Sequence, residues 1–213
     1  APGSIAWISF PFHLQPGCSL LSEWFGHPLE PRQYGLFNFP SLQKQIEPGG
    51  TIQNSDYYID EFGTGDTNWF PDRAVAANIG CVLFLPQDHG AVKLTGIGMV
   101  PTNTVSMQVP YFSMPWIGLS YPVSLNMRQS GITNLFAPPR KYSSFDYDYV
   151  DGQAAPGGQV CVTEYYRDDW GTGTTNFFPS APGADQFDAG KGSILFFSSS
   201  RNGTQTWRCA KPY

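Results

Sequence analysis

The feature that most constrains this chain is that part of its sequence occurs twice. Tyr57–Pro71 reads YYIDEFGTGDTNWFP and Tyr165–Pro179 reads YYRDDWGTGTTNFFP, with ten of fifteen positions identical. Three more are conservative: Glu61 for Asp169, Phe62 for Trp170 and Trp69 for Phe177. The register runs back without gaps to Pro48-Gly49-Gly50 against Pro156-Gly157-Gly158. After a small length difference it resumes at Gly80–Leu85 against Gly192–Phe197. Further upstream, Phe10-Pro11-Phe12 resembles Val109-Pro110-Tyr111. A unit of about a hundred residues is too long for a solenoid repeat or propeller blade and suits a small β-domain or half of a larger sandwich. The expected division is 1–104 and 105–213, packed either as two units or as one continuous sandwich.

Glycine (23) and proline (19) punctuate the whole length, which breaks helices and favours short strands joined by turns. With 41% hydrophobic residues the chain can build a core. The expected fold is therefore all-β: an antiparallel, jelly-roll-like β-sandwich made of two sequence-related repeats. Expected strands are Ile5–Phe12, Thr51–Ile59, Gly80–Leu85, Gln159–Arg167 and Ser193–Ser198. Leu94–Met99 and Thr104–Pro110 read as a pair bridged by Pro-Thr-Asn. Ser144–Val150 alternates aromatic and acidic residues as a half-exposed strand does. Leu20–Phe25 reads as one helical turn.

Charge narrows the functional classes. Seventeen acids against twelve bases give a net charge of −5, and no basic run exceeds Arg140-Lys141, so there is no direct nucleic-acid patch. No apolar run is long enough for a membrane-spanning helix. Ala1 reads as a processed or excised start. Cys18, Cys81, Cys161 and Cys209 allow up to two disulfides or buried free thiols, and their spacing fits no CxxC metal site. Asn202-Gly203-Thr204 is a lone glycosylation sequon.

The repeated motif offers two chemistries. Asp60, Glu61 and Asp66 could supply oxygen ligands to Ca²⁺, but Thr174 stands where a second copy would need Asp66. The alternative is a tight strand connection, with the glycines at positive φ and the polar side chains bonding nearby amides. The expectation is no cofactor, with calcium kept as the sharper alternative. No catalytic residues are assigned: His13, His27 and His89 are scattered, and Asp168-Asp169 reads as a solvated turn rather than a glycosidase pair. Phe62, Trp69, Phe70, Trp170, Phe177 and Phe178 are the candidate binding residues. They suit either core and interface anchoring or stacking on sugar rings.

Leu94–Ile117 (LTGIGMVPTNTVSMQVPYFSMPWI) resembles a stretch of the capsid proteins of picorna-like RNA viruses, where a strand ends in Val-Pro-Tyr followed by Ser. Gly80–Pro86 is similar to the buried strand that precedes it in that family, and Tyr165–Trp170 to the acidic-aromatic end of a late strand. The resemblance implies a jelly roll, a place in a virion, and self-association with other coat subunits. A tandem repeat is not a feature of that family, and a projecting surface domain of two fused β-units accommodates both observations. A glycan or cell-surface receptor is a further expected partner. The alternative is a secreted, extracellular tandem-repeat carbohydrate-binding protein.

Overall fold

The computed structural model describes residues 3–13, 20–25, 31–87, 92–94, 98–209 and 211–212. The first half holds β1 (Ile5–Ser9), the one-turn helix α1 (Leu21–Phe25), β2 (Arg32–Gln33), β3 (Ser41–Gln45), β4 (Ile52–Ile59), β5 (Thr67–Phe70) and β6 (Gly80–Phe84). There follow β7 (Val105–Pro110), β8 (Trp116–Gly118), β9 (Leu125–Asn126), β10 (Arg140–Lys141) and β11 (Asp148–Gln153). The last are β12 (Val160–Arg167), β13 (Thr175–Pro179), β14 (Gln186–Phe187), β15 (Gly192–Phe196) and β16 (Thr204–Cys209). The fold is all-β and sandwich-like, with curled sheets that form half-barrels. Among the described residues no helix is long and apolar enough to cross a membrane.

Two six-stranded sheets carry the architecture. One has the order β1-β6-β3-β4-β2, with β5 on β4; the other has the order β8-β15-β11-β12-β10, with β13 on β12. The connectivity is the same strand for strand. Even the exceptional pairings recur: β2 joins β4, and β10 joins β12, as two-residue parallel bridges. Each sheet buries one face because side chains alternate along a strand. Tyr57 and Trp69 enter a core with Ile8, Phe10, Trp24, Leu42 and Leu83. Tyr165 and Phe177 enter another with Ile117, Ile132, Leu135, Phe136 and Trp207. Each fully buried large apolar side chain contributes about 1.5–3 kcal/mol.

The two sheets meet through reciprocal contacts. Gln45 at the end of β3 donates to the Met114 carbonyl (2.9 Å) and accepts the Trp116 amide (2.8 Å) and its own half's Gly49 amide (2.6 Å). Gln153 at the end of β11 does the same in reverse, donating to Ile5 (2.8 Å) and accepting from Trp7 (2.8 Å) and Gly157 (3.0 Å). Ser9 N donates to the Gly190 carbonyl and Gly118 N to the Asn78 carbonyl. Ile8 bridges to Lys191 and Ile117 to Ile79. Where residue i contacts j and the counterpart of j contacts the counterpart of i, the interface is isologous. The junction is thus a pseudo-twofold axis inside one chain. Its closeness explains two repeated glycines: a Cβ on Gly80 would sit 2.8 Å from the Ile117 oxygen, and one on Gly192 would sit 2.7 Å from the Ile8 oxygen.

Several sequence expectations change. Val105–Pro110 pairs with Thr204–Cys209 and Met99 bridges to His13, while residues 95–97 of the expected Leu94–Met99 strand lie outside the described residues. The strand in the β1 position of the second sheet is Trp116–Gly118, so Val109-Pro110 is not the counterpart of Phe10-Pro11. Ser144–Val150 is not one half-exposed strand. It begins as the last residue of a 3-10 turn (Tyr142–Ser144), and strand pairing starts only at Asp148. Asp148 is fully buried, bound by Arg201 Nη2 (2.7 Å) and the Ser198 amide (2.9 Å). Arg201 also donates to the carbonyls of Phe136, Ala137 and Pro138, so one guanidinium satisfies a loop and a carboxylate together.

Candidate functional site

The repeated GTG motif forms the turn between β4 and β5 and, in the second copy, between β12 and β13. Asp168 Oδ1 accepts the amides of Trp170 (3.1 Å) and Gly171 (2.9 Å), an Asx turn. A Cβ on Gly171 would collide with the Asp168 carboxylate, and one on Gly63 with that of Asp60. Gly65 and Gly173 lie at φ +77° and +71°, where a side chain is strained. Asp60 N closes the first turn on the Asp66 carbonyl (3.0 Å), and Asp168 N closes the second on that of Thr174 (3.0 Å). Both bonds use the backbone, so Asp66 and Thr174 serve equally and the turn tolerates the exchange. Glu61 accepts the Gly35 amide (3.1 Å). Among the described residues, no three His, Cys, Asp or Glu side chains converge as metal ligands, and Asp60, Glu61 and Asp66 do not form such a group.

What both turns hold in place is an aromatic platform on the outer face. Tyr58 stacks on Phe70 (centroids 4.5 Å), as Tyr166 does on Phe178 (4.1 Å). Tyr34 leans on Tyr58 (4.7 Å) and Tyr142 on Tyr166 (4.8 Å). Phe39 and Tyr147 close the groups at 5.2 Å and 5.0 Å. Each residue of the second platform lies 108 positions after its counterpart. Two more largely exposed rings flank each: Phe37 (77% exposed) and Phe62 (81%) lean on Tyr34 at 5.6 Å and 6.4 Å, and in the second copy Phe145 (72%) leans on Tyr142 at 5.4 Å, with Trp170 75% exposed.

Strain marks the same place twice. Phe37 and Phe145 cap 3-10 turns with φ of 49° and 50°, a left-handed conformation that is an outlier for a bulky side chain. Such backbone strain costs on the order of 1–3 kcal/mol and persists only where the surroundings impose it. Here its effect is to hold a phenyl ring largely in solvent, tilted against Tyr34 or Tyr142. The acid of the neighbouring turn braces the strained segment in both copies. Glu61 does so through the Gly35 amide, and Asp169 accepts from Ser143 Oγ (3.2 Å). The phenols of Tyr58, Tyr147 and Tyr166 stay protonated at neutral pH. Burial raises the Tyr58 and Tyr166 hydroxyls, and burial with the bond to Glu164 (2.9 Å) pushes Tyr147 up to about 12.

The six sequence-predicted binding residues therefore separate into three kinds. Phe62 and Trp170 are exposed rings beside the platforms. Phe70 and Phe178 are half-buried and form the platform floor. Trp69 and Phe177 are 1% and 4% exposed and belong to the cores, so neither reaches a ligand. The reason is strand alternation, which turns residues 69 and 177 inward when 70 and 178 face out. Sequence reasoning missed Tyr34, Phe37, Phe39, Tyr142, Phe145 and Tyr147. Their signal lies in RQYGLFNF against RKYSSFDY, in the same register as the main repeat.

A cavity of about 630 Å³ opens beside the first core, lined by Phe10, Phe12, Trp24 and Leu85 and by Pro156 and Gly190 of the second half. Cys81, Cys161 and Cys209 are free and buried, while Cys18, His27 and His89 lie outside the described residues. Burial pushes the Cys81 thiol up to about 12 and Cys209 to about 11, which removes the nucleophilic thiolate at neutral pH. No protein-family model, curated protein or solved structure matches the chain.

Proposed function

We propose that this chain is a non-enzymatic structural protein of a non-enveloped virion, a coat subunit or projecting surface domain that self-associates. The observation that carries the reading is the pair of exposed, strained aromatic platforms. Each lies by β4 or β12, at the end of its sheet away from the strand that meets the other half. Exposed Phe, Tyr and Trp on a rigid sheet suit an interface core, where aromatic residues are enriched and charge is depleted. The low overall charge (14%) and the resemblance of Leu94–Ile117 to picorna-like capsid proteins support the same reading. Purified protein examined by light scattering and electron microscopy should form large oligomers or particles. A chain that stays monomeric at high concentration sinks the proposal.

A second reading has its own observation. Trp170 stands 75% exposed beside Asp168, Asp169 and the Thr172 and Thr174 hydroxyls, an apolar face with a polar rim that suits a sugar ring. Glycan-array binding lost on Trp170→Ala by a monomeric protein would favour this carbohydrate-binding alternative.

A further inference from the structure

The two sheets match strand for strand, but what packs on their inner faces does not. In the second half the 3-10 turn Ile132–Asn134 and the β7–β16 pair share one core with the sheet, and the buried Trp207 donates its Nε1–H to the Ser130 carbonyl (2.9 Å). In the first half α1 sets Trp24 against Phe10 (ring centroids 4.8 Å), and beside this pair lies the cavity of about 630 Å³. Pro122, Pro156 and Gly190 of the second half wall its other side. The space therefore belongs to the junction between the halves, a common place for ligand sites. Its lining is mostly apolar. Of the described polar lining residues Ser4, Ser9 and Lys93, Ser9 Oγ is committed to the Lys191 carbonyl (2.8 Å) and Lys93 is exposed. One polar group in the wall is unmatched: Trp24 is 7% exposed, and its Nε1–H has no hydrogen-bond partner among the described residues. A buried indole N–H ordinarily finds an acceptor, as Trp207 does, and leaving one unpaired costs free energy.

We propose that this cavity binds an uncharged, largely apolar small molecule that brings one hydrogen-bond acceptor, such as a ketone or ester oxygen, to Trp24 Nε1. The apolar wall selects the body of the ligand, and the rings of Phe10, Phe12 and Trp24 favour an aromatic one. The acceptor supplies what the indole lacks. An ionised group entering the cavity would give up its hydration for an apolar wall, so a charged ligand is disfavoured. The site shares no residue with the aromatic platforms and does not depend on self-association.

The test measures binding of three probes of matched size, acetylnaphthalene, ethylnaphthalene and naphthoate, to the full chain by equilibrium dialysis. Acetylnaphthalene should bind about fivefold more tightly than ethylnaphthalene, the worth of one net hydrogen bond, and naphthoate most weakly. Trp24→Phe keeps an aromatic ring and removes the donor, so it should erase the preference for the ketone and leave ethylnaphthalene binding nearly unchanged. Ala189→Trp adds bulk to the cavity wall from an exposed turn residue and should weaken both neutral probes. Circular dichroism reports whether each variant folds. If Trp24→Phe does not fold, the wild-type preference and the response of Ala189→Trp decide the matter. Equal affinity for ketone and hydrocarbon, or a preference that survives Trp24→Phe, would overturn the role of the indole. Tightest binding by naphthoate would overturn it too, in favour of Lys93 as the group that sets the ligand. Binding untouched by Ala189→Trp would place the ligand elsewhere, and no saturable binding of any probe would overturn the site itself.

Discussion

Gln45 and Gln153 make the same three hydrogen bonds across and beside the pseudo-twofold junction, but they differ in access to water. Gln45 is 4% exposed, whereas Gln153 is only half-buried. Replacing either with Met keeps most of the volume and removes an amide that donates once and accepts twice. At roughly 1 kcal/mol for each bond lost, Gln45→Met should cost about 3 kcal/mol, because the Trp116 and Gly49 amides and the Met114 carbonyl are left unpaired. Gln153→Met exposes the equivalent groups to solvent, which re-bonds them, so its cost should stay near 1 kcal/mol. Urea unfolding of both variants and the wild type, analysed with a common m-value, measures the difference. Equal losses, or a larger loss at Gln153, would refute the argument that burial rather than bond number sets the cost.

Other outcomes follow from the cores and the buried charges. Arg201→Met should destabilise by about 3–5 kcal/mol in the same assay, since it strands the fully buried Asp148 carboxylate. Asp148→Leu introduced together with it should recover part of that loss. Trp69→Ala should cost about 3–5 kcal/mol and Phe62→Ala less than about 0.5, although both belong to the one repeated motif. Thermal melts separate the two. Cys81 and Cys209 should resist alkylation at neutral pH until urea is added, as read by peptide mapping, because burial suppresses both thiolates.

Much of the fold was legible from local pattern. β4, β6, β12 and β15 lie within a residue or two of the expected runs because each begins at a glycine or PGG turn and buries alternate or continuous apolar residues. Pairing was less legible. Val105–Pro110 and Thr204–Cys209 are about a hundred residues apart, and nothing in either strand names its partner. The site was half visible: the β4–β5 turn advertises itself through its glycines, but the braced segment Tyr34–Phe39 precedes it by a whole hairpin. Its aromatic spacing carries meaning only in the 108-residue register. Asp148 looked like a surface acid because sequence alternation cannot reveal a guanidinium arriving from residue 201.

The reciprocal glutamine contacts also set an order of events during synthesis. The amide of Trp7 and the carbonyl of Ile5 pair with Gln153, and Ser9 donates its amide to Gly190 and its hydroxyl to Lys191. A nascent first half can therefore form its own sheet but leaves β1 with unmet hydrogen-bonding groups until most of the chain has been made. Truncations that end before residue 153 should present that edge to other molecules, and edges of that kind recruit foreign strands. The duplication that gives the chain two similar ends thus also ties its first strand to nearly its last.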